Sequence, residues 1–175
     1  MNPNFFPRVE HWRLPNAAFA ASLEEMARDG QRGNEGIALW LGARLSGVAT
    51  VTHVLCVRGA DVTKEPAYLN VGAATMNDVG DFAIEHGLTF VGQIHSHGPR
   101  HGVDLSPTDR RYGVSVPYFL SVVAPDYALR QGTHFDECGV HIFESGLGYR
   151  RLGQPEVAAR IVLVDEPVTV SELGG

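Results

Sequence analysis

A short apolar run with a glycine at each end, residues 36–42 (GIALWLG), sets the first limit on the fold. It is too short for a core helix and reads as a buried strand. Such a strand needs cover on its faces, and the flanking pattern supplies it. Residues 17–27 read as a helix, with Asn16 as its cap and Asp29 and Gly30 as its stop. Residues 45–57, rich in Val and Thr, read as a second strand. Residues 75–86 place Met76, Val79, Phe82 and Ala83 on one helical face, and Gly87 ends it. Residues 88–97 read as a strand, 114–124 as the most apolar strand, and 140–143 and 159–170 as the last strand candidates. Residues 58–71 and 126–137 read as irregular, polar insertions. Interleaved helices and strands make the expected class α/β (α+β): one sheet with two or three helices packed on it.

The chain has 175 residues, of which 44% are hydrophobic and 19% charged, so it can bury the core of a single domain. The expected domain is 1–175, with a motif-bearing core at about 16–150 and a C-terminal strand and tail at 151–175. The net charge of −6 argues against nucleic acid or an anionic membrane as a partner, since both need clustered positive charge. Cys56 and Cys138 are too few for a disulfide framework and read as free thiols in a reducing compartment. Residues 1–7 lack the basic and apolar regions of a signal peptide, and no apolar run is long enough to span a membrane. The expected localisation is cytoplasmic. Gly174 and Gly175 read as a frayed terminus.

The chemistry concentrates in residues 92–109, GQIHSHGPRHGVDLSPTD. His95 and His97 are two apart on a strand, so alternation puts both imidazoles on one face. Ser106, Pro107, Thr108 and Asp109 look like a helix start: a Ser cap, a Pro in first position and an acid in the first turn. From there Asp109 can fold back as a third ligand, with Asp104 in the loop as its rival. Two imidazoles and a carboxylate suit Zn²⁺ with an open fourth position, the pattern of a catalytic rather than a structural site, although the donor set also suits other divalent ions. His101 is an exposed loop residue. His53, His86, His134 and His141 show no ligand spacing and read as structural or exposed. No HExxH, no HxE with PCxxC and no GxSxG is present, which sets aside zincins, base deaminases and α/β-hydrolases.

His95-Ser96-His97 followed by Ser106-Pro107-Thr108-Asp109 resembles the H-[S/T]-H…S-x-x-D signature of the JAMM (JAB/MPN/Mov34, MPN-plus) metalloenzymes. The run from Glu35 to Gly42 resembles their upstream E-x-x-G-x-x-x-G, with Ala38 in place of its first glycine. Gly98 stands where the family usually has proline, and the loop from His97 to Ser106 is one residue longer than the commonest spacing. The resemblance covers residues 16–150. It implies a single MPN/JAB-like domain with a mixed, curved sheet of cytidine-deaminase-like architecture.

It further implies one Zn²⁺ per chain held by His95, His97 and Asp109. Glu35 would be the general base, and Ser106 would donate to the oxyanion of the tetrahedral intermediate. The expected activity is a zinc-dependent (iso)peptidase cutting after the C-terminal glycine of a ubiquitin-like protein or its conjugate, with E1/E2-like operon partners. The substrate tail would lie extended beside a sheet edge, flanked by the two insertions. The alternatives are a catalytically silent MPN-type scaffold and a zinc hydrolase of small peptides or amides.

Overall fold

The structure is a computed structural model that describes residues 7–174. The signal-peptide reading of residues 1–6 and the reading of Gly175 lie outside the described residues. The elements run β1 (His11–Pro15), α1 (Asn16–Gly30), β2 (Ile37–Leu45), β3 (Val48–Val57), β4 (Val62–Glu65), β5 (Tyr68–Val71) and α2 (Ala73–Glu85). They continue with β6 (Thr89–Ser96), α3 (Pro107–Tyr112), β7 (Leu120–Ala124), β8 (Gly139–Glu144), β9 (Gly148–Arg151), α4 (Gln154–Arg160), β10 (Ile161–Val164) and β11 (Thr169–Leu173). Among the described residues nine strands form one curled, mixed sheet in the order β10-β1-β3-β2-β6-β7-β8-β9, with β11 on β3 beyond the end of β1. β4 and β5 form a separate hairpin. The expected α+β class is what the chain adopts. No helix among the described residues is long and apolar enough to cross a membrane.

From Ile37 to Leu41 every position of β2 is apolar and buried, and the packing gives the reason. Ile37, Leu39 and Leu41 pack with Val79 and Ala83 of α2 on one face. Ala38 and Trp40 pack with Ala18, Phe19 and Met26 of α1 on the other. A strand covered on both sides has no polar face to show. Each large side chain so buried contributes roughly 1.5–3 kcal/mol. The indole N–H of Trp40 donates to Ser22 Oγ at 2.9 Å, and the Ser22 hydroxyl donates to the Ala18 carbonyl at 2.7 Å. The burial therefore leaves the indole N–H satisfied.

Gly42 marks a register shift between β2 and β3, the kind of bulge that bends a strand. A Cβ here would lie 1.8 Å from the Thr50 carbonyl oxygen, and a backbone atom inside a sheet cannot swing away. Gly42→Ala should therefore destabilise the fold by roughly 3 kcal/mol or more. Denaturant unfolding checks this; an unchanged midpoint would show that the sheet can relax there.

Several local expectations are corrected. Asn16 is not a cap: Pro15 holds the cap position without a side-chain bond, and Asn16 Nδ2 donates to Asp165 at 2.7 Å. The reason is β1, which the sequence reading missed and which runs straight into α1, placing Asn16 inside the helix. Residues 58–71 are not irregular but carry the β4–β5 hairpin, in which Glu65 pairs with Tyr68 across a Pro66-Ala67 turn. The strand read over 114–124 begins only at Leu120, because Pro117 has no N–H to donate and Tyr118 takes φ 62°. Residues 159–170 divide: α4 starts early with Pro155 in its first turn, and two short strands follow it.

Candidate metal centre

The site forms where β6 ends and β2 begins. His95 stands opposite Ile37 in the β2–β6 pairing, so it shares the α2 face. Glu35, two residues before Ile37, projects to the same side and is 5% exposed. Ser96 points the other way. Its Oγ accepts the Gly36 N–H at 3.0 Å, and its own N–H donates to the Gly36 carbonyl at 3.0 Å. The middle residue of the His-Ser-His run thus latches the chain beside Glu35 to the histidine strand. This role was missed in the sequence; the signal was a small hydroxyl at the inward position between two same-face histidines.

Asp109 is brought in by α3. Ser106 Oγ accepts the Asp109 N–H at 3.1 Å, and Asp109 Oδ2 accepts the Ser106 N–H at 2.8 Å, a reciprocal cap. The same Oδ2 lies 3.6 Å from His95 Nε2 and 3.3 Å from His97 Nε2. The two Nε2 atoms are 3.2 Å apart. A tetrahedral ion with bonds of about 2.0–2.2 Å would hold such donors about 3.3–3.5 Å apart. The three atoms therefore fit a single small divalent ion.

Their protonation points the same way. The Gly102 carbonyl, 2.7 Å from His97 Nδ1, can only accept, so Nδ1 carries the proton and the lone pair of neutral His97 sits on Nε2. That lone pair converges with a carboxylate oxygen and a second imidazole, which only a proton or a cation relieves. Burial opposes ionisation of Asp109, but hydrogen bonds from His95, His97 and Ser106 outweigh it and hold the carboxyl well below the usual range. Burial also opposes charging His97, yet its bonds to Asp109 and Gly102 push its pKa up. Glu35 moves the other way. Burial raises it to about 7, with His97 lowering it and Asp109 raising it.

Glu35, His97, His101, Ser106 and Asp109 line a cleft of about 340 Å³ whose opposite wall is the hairpin at Ala67 and Tyr68. A second groove, about 180 Å³, continues past His95 and Asp109 between Tyr68, Met76 and Tyr112. Of the two insertions only the first borders these clefts; residues 126–137 line neither. Asp104, the rival ligand, is drawn elsewhere. Its Oδ1 meets Nε2 of the fully buried His141 at 2.8 Å and Arg110 at 2.9 Å. His141 thus braces the loop that carries Gly102. His101 stands edge-on to His97, with ring centroids 6.3 Å apart. His53, His86 and His134 line neither cleft.

No family model matches the chain. It is 28% identical over 117 residues to a probable metalloprotease, y4jG, of Sinorhizobium fredii, a match that spans 66% of this chain and 71% of that protein. The fold is similar to the solution structure of protein DSY2949 from Desulfitobacterium hafniense, with a TM-score of 0.64 and 18% identity over 89% of this chain and 94% of that one.

Proposed function

We propose that the protein is a JAMM-type zinc peptidase or isopeptidase that hydrolyses the amide after the C-terminal glycine of a ubiquitin-like protein. The observation that carries this reading is the convergence of His95, His97 and Asp109 beside a buried carboxyl whose pKa is near neutral. The similarity to a probable metalloprotease supports it. Zn²⁺ held by the three residues would supply a Lewis acid and lower the pKa of a water to about 7.

The chain's own groups do the rest. Glu35 takes the proton of the attacking water and delivers it to the leaving amine, a double role that suits a carboxyl titrating near 7. Ser106 Oγ accepts the Asp109 N–H, which leaves its hydroxyl hydrogen free to donate to the oxyanion. An extended substrate tail fits along the open edge of β5, where Tyr68, Leu69, Asn70 and Val71 line the second groove. An E1/E2-like system would supply the conjugate.

The test joins metal content to cleavage. Protein grown in zinc-replete medium should carry one zinc per chain by elemental mass spectrometry. It should also release the amine from a ubiquitin aminocoumarin amide or from a ubiquitin fusion. Zinc-loaded protein that cuts neither would overturn the reading. Ser106→Ala should cost roughly a hundredfold in kcat, and about 1 kcal/mol of stability through the lost cap. An unchanged kcat would remove Ser106 from the chemistry.

A further inference from the structure

We propose that Tyr127 is a positioning residue: a strut that holds the β4–β5 hairpin against the loop after His97 and so sets the width of the cleft between them. The strut stands whatever the activity; only its kinetic consequence rests on the peptidase reading.

Two strands of four residues are marginal by themselves in water, so the hairpin needs anchors. It has several: at its base the Gly72 N–H donates to the Asp61 carbonyl at 2.9 Å, within β4 Lys64 meets Asp29 at 2.7 Å, and next to the turn the Glu65 carbonyl accepts the Glu35 N–H at 3.0 Å. Its turn, whose Ala67 borders the cleft, is reached by Tyr127: the phenol donates to the Pro66 carbonyl at 2.8 Å. The N–H of Tyr127 donates to the carbonyl of His97 at 2.8 Å. One residue therefore joins both walls of the cleft while lining neither cleft nor groove itself.

Two glycines make room for it. A Cβ on Gly98 would lie 2.6 Å from the phenol ring, and one on Gly30 would lie 2.4 Å from the Tyr127 carbonyl oxygen. Gly98 is the residue whose bareness admits the ring. Asp126, Tyr127 and Ala128 take φ of 54°, 53° and 58°, three consecutive left-handed residues without a glycine. Such a run persists only where the structure around it over-determines it, and it is typical of functional segments.

The experiment compares zinc-loaded wild type with Tyr127→Phe, which keeps the ring against Gly98 and loses only the bond to Pro66. Hydrogen exchange of the β4–β5 amides should speed up roughly fivefold, the scale of one neutral hydrogen bond, with zinc content unchanged. KM for the ubiquitin aminocoumarin amide should rise by about the same factor, with kcat unchanged. Gly98→Ala, which crowds the ring from the other side, should reproduce both effects. Wild-type exchange in Tyr127→Phe would overturn the strut, and faster exchange with an unaltered KM would overturn its hold on the cleft. If wild type cleaves no probe, the peptidase reading fails while the exchange rates still decide the strut.

Discussion

Glu35→Gln should lower amide turnover by roughly a hundred- to ten-thousand-fold, the usual worth of a positioned general base, while leaving the bound zinc in place. The same substitution should make the metal-free protein more stable at pH 8. The carboxyl titrates near 7 in the fold against an ordinary 4.5, because burial disfavours its charged form. The folded state then binds the proton more tightly than the unfolded state. Its contribution is complete below pH 4.5 and is lost as pH rises through 7. The difference is on the order of 3 kcal/mol. A neutral glutamine removes that loss. Urea unfolding in chelator should therefore show the variant ahead of wild type at pH 8 and level with it at pH 4. Equal turnover by the two proteins would take Glu35 out of the mechanism. Equal stability at both pH values would show that its carboxyl is not strained by burial.

Asp109→Asn should abolish the stabilisation that zinc gives. Asparagine keeps an oxygen for the Ser106 N–H, so α3 retains a cap, but the negative charge that draws the ion is gone. For wild type, zinc at about a thousand times its Kd adds about 4 kcal/mol. In a domain of 175 residues that is a rise in Tm of roughly 8–16 °C over the chelated protein. Calorimetry with zinc and with chelator reads both numbers. A variant that gains as much as wild type would place the ion elsewhere and dissolve the His-His-Asp grouping as a metal centre.

What could be read from the sequence was what depends on near neighbours. Alternation along a strand is local, so His95 and His97 could be put on one face, and the Ser106-to-Asp109 helix start is a four-residue pattern that the fold retains. The meeting of Glu35 with them is not local; it needed a family pattern in the sequence and Ser96 in the structure to tie residue 36 to residue 96. The hairpin was hidden because Lys64, Glu65 and Asn70 break the alternation in strands of only four residues, and because pairing, not propensity, makes them strands. Asp104 was left open as a ligand because its partner, His141, lies 37 positions away. β1 escaped notice for the same reason. Its five residues become a strand through neighbours at 48–50 and 161–164.

Those last pairings also bear on how the protein is made. Trp12 lies beside Ile161, and Val54 beside Val170, so the β1–β3 end of the sheet is completed only by residues 161–173. Until those residues are made, β3 keeps much of one flank bare, open to pairing with any other extended chain. The domain thus closes only once residues 161–173 are out, and its yield in a cell should depend on chaperone shelter during that interval.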